Sequence, residues 1–266
     1  MLKRGDGKPH SQPLMQLILD MGNSTIVAAL VQNGKVLTTK RIPTDRTKKE
    51  QHYEKKLHDF VAEHIQDDDA PLTSALSSVV PELNDIVASA AEAVTGNKTI
   101  IIDNEMVQRA IVIDVDDPTA VGKDRIADAV GALTLYPTPL IVIDMGTATT
   151  VNIVDANRHF IGGMIIPGVR TSLLALSAKA SQLPEVRIKT PPSIIGKNTI
   201  HCMQSGIIYG FASMIDGIID RLSETLPGYT VVATGGMASH IIPHCQHKIH
   251  YNQHLLIKGI DKIVNK

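Results

Sequence analysis

The sequence predicts an α/β protein built as two similar lobes, each a mixed sheet whose first strands form a hairpin. Three observations predict it. Short apolar runs of strand length are interspersed with stretches of helical pattern. Asn33-Gly34, the strongest short-range hairpin signal, lies between two strand-like runs. The opening run Leu17-Ile18-Leu19-Asp20-Met21-Gly22-Asn23-Ser24-Thr25 also returns, without a gap, as Ile141-Val142-Ile143-Asp144-Met145-Gly146-Thr147-Ala148-Thr149. An apolar strand, an acid, a glycine and hydroxyls, repeated before a hairpin, read as a duplicated lobe.

Taken in order, residues 1–13 are polar and aperiodic, and Met15 is a candidate natural start. Residues 1–14 are therefore set apart as a disordered or added tail, with lobes at 15–133 and 134–266. A strand ending at Asp20 precedes strands over 25–30 and 35–42, around the Asn-Gly turn. Residues 48–66 read as a helix, 74–80 as a short buried strand, 81–95 as a helix and 99–103 as a strand. Residues 126–135 read as a further helix. In the second lobe a turn near Asp155-Ala156-Asn157 returns the chain through Phe160. Residues 171–181 read as helix, 198–226 as one long helix or two, 231–233 as a buried strand, and 255–264 as a closing helix or strand–helix. No low-complexity linker separates the lobes, so a packed unit with a cleft is expected.

Composition narrows the function classes. A length of 266 residues suits one large domain or two small ones and buries a core without disulfides or metals. Lys plus Arg number 26 against 27 Asp plus Glu, a net charge of -1, so the excess positive charge that phosphate-backbone binding needs is missing. With no Trp and 3 Phe, base-stacking platforms are scarce. These features argue against a nucleic-acid partner. No apolar run approaches the ~18 residues of a membrane helix, so no membrane partner is expected. The apolar stretch broken by Gln16 and ended by Asp20 is no signal peptide. Cys202 and Cys245 are too few for a disulfide scaffold, which points to the cytoplasm.

The chemistry is written in four short segments. A strand ending in Asp-x-Gly places a carboxylate at its tip, and the glycine lets the backbone approach a ligand. The amides and hydroxyls that follow can grip phosphate oxygens. A metal ion is the natural companion, because the carboxylate alone would repel phosphate. Neither familiar nucleotide loop is present: Gly196-Lys197 is followed by Asn198, and Pro191 stands where the first glycine belongs. A third glycine turn, Thr234-Gly235-Gly236, follows a strand and reads equally as a tight turn alone. The fourth segment, Val121-Gly122-Lys123-Asp124-Arg125, presents an acid and a guanidinium just before a helix. Arg125 could grip a carboxylate as a bidentate fork while Asp124 accepts a hydroxyl proton. Capping and solvated charge are the alternative.

Nine motifs occur in order: Asp20-x-Gly22-Asn23-Ser24, Ser77-Ser78-Val79-Val80-Pro81, Gly122-x-Asp124-Arg125, Asp144-x-Gly146-Thr147-Ala148-Thr149, Gly162-Gly163-x-Ile165-x-Pro167-Gly168, Leu183-Pro184, Ile195-Gly196-Lys197-Asn198-Thr199, Gln204-Ser205-Gly206 and Thr234-Gly235-Gly236. From Gln16 to the C-terminus the chain resembles type III pantothenate kinase, of the acetate and sugar kinase/Hsp70/actin superfamily. The resemblance implies two RNase H-like lobes with an ATPase cleft between them. It also implies ATP-dependent phosphorylation of pantothenate to 4′-phosphopantothenate, the first step of coenzyme A biosynthesis. By position, Asp20, Met21, Gly22, Asn23, Ser24, Thr25, Ile26 and Val27 would form the first ATP phosphate loop, with Asp20 near Mg²⁺. Thr147 would contact ATP, and Thr234, Gly235 and Gly236 would lie by the nucleoside. Gly122, Lys123, Asp124, Arg125 and Thr199 would contact pantothenate, with Asp124 the proton acceptor. Asp144 would help hold a monovalent cation, K⁺ or NH₄⁺, and the family's homodimer would complete the substrate pocket.

The chain departs from the family pattern in places. A pantothenate-contacting Tyr is usual three residues before the Pro at 118, where this chain has Val115; the usual Asn before that Pro is Asp117. Ala28-Ala29 replaces a frequent glycine. Val115 keeps open a kinase or phosphatase of the same superfamily acting on another small molecule. A non-catalytic regulator is the other alternative, opposed by the presence of Asp20, Asp124, Asp144 and Arg125. Elsewhere, His240, His244, His247, His250 and His254 cluster with Cys245, but Pro243 breaks any helix through them and no ligand set is completed. A solvated loop is expected there. Cys202, followed by apolar residues, is expected to be buried, and Asp67-Asp68-Asp69 to be a solvated charge run.

Overall fold

A computed structural model describes residues 15–65, 71–180 and 182–266. The N-terminal tail and Asp67-Asp68-Asp69 lie outside the described residues. By packing the chain falls into two units, one ending at Ile101 and one starting at Ile102.

The first unit contains β1 (Met15–Met21), β2 (Thr25–Gln32), β3 (Lys35–Pro43), α1 (Glu50–Ala62), β4 (Leu72–Ser78), α2 (Asn84–Thr95) and β5 (Ile100–Ile101). Its sheet runs β3-β2-β1-β4-β5. β1 pairs antiparallel with β2 and parallel with β4. Asn33 and Gly34 both have positive φ, 51° and 75°, the backbone that a two-residue hairpin turn requires. Alternate residues Leu17, Leu19 and Met21 of β1 meet Tyr53, Leu57 and Phe60 in one core cluster. The strand period of two thus meets a helix face spaced at four and three residues. The buried Tyr53 hydroxyl donates to the Asp45 carbonyl at 2.8 Å and accepts its N–H at 3.0 Å, which removes the cost of burying it.

The second unit contains α3 (Asn104–Ala110), α4 (Lys123–Leu135), β6 (Leu140–Met145), β7 (Ala148–Val154), β8 (Phe160–Pro167), α5 (Val169–Lys179), α6 (Thr199–Ser223), β9 (Thr230–Thr234), α7 (Ala238–Ile241), β10 (His250–Tyr251) and α8 (Leu255–Val264). Its sheet runs β10-β9-β6-β7-β8. Here β6 pairs antiparallel with β7 and parallel with β9. The two sheets therefore repeat one topology: a three-strand meander whose first strand takes a parallel neighbour on its other side. The repeat slips by one residue after the glycine. Met21 pairs with Ile26, whereas Met145 pairs with Thr149, so the first connection is one residue longer and Ala29, not Ala28, occupies the place of Asn152.

One face of this sheet, through Ile141, Ile143, Met145, Val151 and Ile153, packs against α6. α6 is a single helix of 25 residues, long and apolar enough by length and composition to cross a membrane. Its buried stripe, from Met203 through Ile208 and Ile215 to Ile219, belongs to the core of this unit. α4 and α8 cross closely, because a side chain at Gly131 would overlap the Leu255 carbonyl and one at Gly259 the Ala127 carbonyl.

Element boundaries shift for local reasons. The predicted helix over 81–95 opens as a 3₁₀ turn at Pro81–Leu83, and the strand over 99–103 is reduced to Ile100–Ile101. The helix expected from 126 begins at Lys123, so Asp124 and Arg125 belong to its first turn instead of preceding it. α3, α7 and β10 carry too few residues to leave a period in the sequence.

Gly259→Leu is expected to destabilise the protein by about 3 kcal/mol through overpacking against α4, while Gly217→Ala, with open space at its Cβ position, gains about 0.5–1 kcal/mol in the helix interior. Thermal denaturation of the two variants beside the parent checks both signs.

Candidate active site

In the first unit, Asp20 stands one residue before the end of β1, opposite Val27 and beside Ser77 of the parallel strand. Gly22 N–H donates to the Thr25 carbonyl at 3.0 Å, closing the turn over Asn23 and Ser24. Thr44 ties the same turn from outside: its hydroxyl donates to the Gly22 carbonyl at 2.7 Å and its N–H to the Ser24 carbonyl at 3.1 Å. Arg46 spans Glu82 at 2.7 Å and the Asn23 side-chain oxygen at 2.9 Å. The Arg46 hydrogen bond holds the Glu82 carboxyl below its ordinary pKa. With its carbonyls tied back, the turn keeps the Asn23 and Ser24 side chains exposed.

The second unit repeats the device with different ties. Asp144 stands opposite Thr150 on β7 and beside Thr234 on β9. Gly146 N–H donates to the Ala148 carbonyl at 3.0 Å. The Thr147 carbonyl accepts from Gly168 N–H at 3.2 Å and from the Thr171 hydroxyl at 2.7 Å, which leaves an exposed Thr147 side chain at the turn. Gly235 crosses next to Asp144 at φ 89°; any Cβ there would collide with the Asp144 carboxylate and the Met145 backbone. Met237 N–H then donates to the Met145 carbonyl at 3.1 Å, locking the Thr234-Gly235-Gly236 turn onto the end of β6. Asp144, Thr147 and Thr234-Gly235-Gly236, separated in sequence, are thus adjoining loops at one sheet end.

The Gly122–Arg125 segment reaches β7 through Arg125. Gly122 is the N-cap of α4, and the Asp124 carboxylate folds back to accept Arg125 N–H at 2.9 Å. A carboxylate at a helix N-terminus is favoured by the exposed amides there. Arg125 Nε donates to Asn152 Oδ1 at 2.7 Å, and its guanidinium lies 5.5 Å over the Phe160 ring. Burial lowers the pKa of Arg125, with Asp124 opposing; the group stays charged at any working pH. Lys123 turns away to donate to the Ile102 carbonyl at 2.8 Å. Thr199 stands exposed at the first position of α6, after the Asn198 cap that accepts His201 N–H at 2.9 Å.

The departures have local explanations. Val115 lies by Gly162, beside the segment in which Asp114 N–H donates to the Phe160 carbonyl at 2.8 Å; it brings apolar contact and no hydroxyl. Asp117 accepts from Thr119 N–H and hydroxyl at 2.9 and 2.6 Å, bonds that an Asn side-chain oxygen makes equally well. Those bonds, the hydroxyl's first, hold the Asp117 carboxyl below its ordinary pKa.

The histidines disperse. His244 bonds Thr190 at 2.9 Å, His247 bonds Asp220 at 2.8 Å and His250 packs on Tyr136; no metal-competent cluster occurs among the described residues. Asn152, Phe160 and Gly163 are the contributors that sequence reasoning missed. One signal was present: an amide inside the otherwise apolar run Val151-Asn152-Ile153-Val154.

Cys202 corrects an expectation, for it is exposed, one residue before α6 enters the core at Met203. Cys245 is the half-buried thiol, and burial with the nearby Asp216 raises its pKa to about 12. At pH 8 the native protein should therefore release one equivalent of chromophore with Ellman's reagent, from Cys202, and a second only on denaturation, because the thiolate is the reactive form. Cys202→Ser should remove the native equivalent.

Known proteins resemble this chain over most of its length. A family model for type III pantothenate kinase matches residues 16–221. Proteins named type III pantothenate kinase are similar throughout: that of an Exiguobacterium species is 36% identical over 95% of this chain and 99% of its own, and that of Brevibacillus brevis 37% identical over 95% and 99%. Among solved structures, a Campylobacter jejuni protein described as a Baf family transcriptional activator superposes with a TM-score of 0.57 at 18% identity, covering 94% of this chain and 97% of the other. The ethanolamine utilization protein EutJ from Carboxydothermus hydrogenoformans gives 0.53 at 13% identity, over 94% and 88%. The two structures carry the fold alone. The chain belongs to the type III pantothenate kinase family.

Proposed function

We propose a division of labour among the residues of this chain for the family's reaction, ATP-dependent phosphorylation of pantothenate to 4′-phosphopantothenate at the opening of coenzyme A synthesis. The observation that carries it is the pair of strand-end carboxylates, Asp20 and Asp144, each followed by a glycine turn whose carbonyls are tied back. Residues Asp20 to Val27 take ATP phosphate oxygens, and Thr147 contributes a further contact. Thr234, Gly235 and Gly236 lie by the nucleoside.

Asp20 is suited to Mg²⁺, a hard cation that keeps waters and takes one or two carboxylates plus substrate phosphates. The ion would neutralise phosphate charge. Asp144, with its oxygen-rich surroundings at Thr150 and Thr234, serves a monovalent cation, K⁺ or NH₄⁺.

Phosphoryl transfer passes through a loose transition state, so positioning and charge neutralisation dominate. Arg125 orients pantothenate through its carboxylate, which is the proximity contribution. Asp124 accepts the proton of the primary hydroxyl, while Gly122, Thr199 and the backbone of Lys123, whose side chain donates to the Ile102 carbonyl, complete the contacts to pantothenate. The homodimer is carried over from the family resemblance, and the exposed Ile165, Ile194, Ile195 and Ile200 of the second unit are apolar positions that it could cover. Two unbridged cysteines suit the cytoplasm.

Asp124→Asn should lower kcat by about 100-fold or more, the contribution of a general base, with ATP affinity and thermal stability near those of the parent. ADP release in K⁺ or NH₄⁺ should exceed that in Na⁺. Parent-like turnover in the Asn variant would remove Asp124 from its role, and equal rates in all three salts would remove the cation from Asp144.

A further inference from the structure

We propose that Asn152 is a positioning residue for the substrate carboxylate, acting through Arg125. The inference rests on the reading of Arg125 given above. Asn152 is fully buried in β7, between apolar neighbours Val151 and Ile153. A buried amide is costly unless its groups are paired, and here both are: Oδ1 accepts from Arg125 Nε at 2.7 Å and Nδ2 donates to Thr150 Oγ1 at 3.2 Å. The orientation of the amide follows from chemistry, since a guanidinium only donates and must meet the oxygen.

The consequence lies in what remains of Arg125. Its Nε is engaged by Asn152, which leaves the two terminal nitrogens as the donors to offer a ligand. Phe160 supports one side of the group by cation–π attraction. Across the ladder Asn152 faces Gly163, where a Cβ would lie 3.1 Å from Nη2 and would overlap the Val151 carbonyl. The two terminal nitrogens are therefore held as an end-on fork, the geometry that reads a carboxylate bidentately.

The fold itself does not demand this amide. The equivalent position in the first unit is Ala29, which is also fully buried. The same strand position thus carries a methyl group where no guanidinium has to be aimed.

The test compares pantothenate with its analogue bearing a primary alcohol in place of the carboxylate, in the parent, Asn152→Leu, Arg125→Ala and the double variant. Asn152→Leu should raise the pantothenate KM by about 10- to 100-fold, as expected for losing a hydrogen bond to a charged group. Its ATP KM and its kinetics on the alcohol analogue should stay at parent values, and Asn152→Asp, which keeps the acceptor, should restore the pantothenate KM. In the Arg125→Ala background the Leu substitution should add nothing.

A parental KM in Asn152→Leu, equal losses on acid and alcohol, or additive losses in the double variant would each overturn the proposal while leaving the kinase reading in place. Absence of pantothenate turnover in the parent would instead overturn that reading and this inference with it. A second readout needs no variant at Asn152. The Arg125 Nε proton, assigned in NMR by its loss in Arg125→Lys, should exchange with solvent at least roughly 10-fold slower than in free arginine because it is hydrogen-bonded in a buried site; exchange at the free rate would also overturn the proposal.

Discussion

The constraint on which the rest depends is a carboxylate at the end of a strand that has a hairpin partner on one side and a parallel neighbour on the other. β1 and β6 both occupy that position. The chain must turn back at once into the hairpin, and in each unit the glycine after the strand, Gly22 or Gly146, closes that turn with its N–H. The parallel neighbour ends at the same level and delivers Ser77 in one unit and Thr234 in the other. Ligands of open α/β sheets bind outside the carboxyl ends of their parallel strands, and each unit concentrates its polar groups there.

Duplication supplied the frame and divergence the roles. The first unit has the longer turn, with exposed Asn23 and Ser24 side chains and its carbonyls held by Thr44. The second has the shorter turn, braced by Gly168 and Thr171, and draws Gly235 in from β9 against Asp144. The second unit threads a polar line along its sheet, from Asp144 opposite Thr150 to Asn152 and on to Arg125 of α4. In the division of labour proposed above, specificity for the acidic substrate falls to that line and phosphate binding to the glycine turns.

Much of this was legible in the residues. The Leu17 and Ile141 runs, the Asn33-Gly34 turn and the order of nine motifs established the topology and the family. What the sequence withheld has physical causes. A two-residue strand such as β10 leaves no period, and a repeat aligned without a gap cannot reveal that the first connection is one residue longer. Cys202 misled because the apolar residues after it, starting at Met203, are buried on a different face of α6. Asn152 stood out as an amide in an apolar strand, yet its partner lies on α4, joined to it only by folding.

The most direct test of the account is the product itself. Purified protein incubated with ATP, Mg²⁺, K⁺ and pantothenate should yield, by ³¹P NMR, ADP and a phosphate monoester coupled to the methylene protons of the primary alcohol in a one-to-one ratio. ADP with inorganic phosphate alone, or ATP left unconsumed by folded protein, would contradict the account.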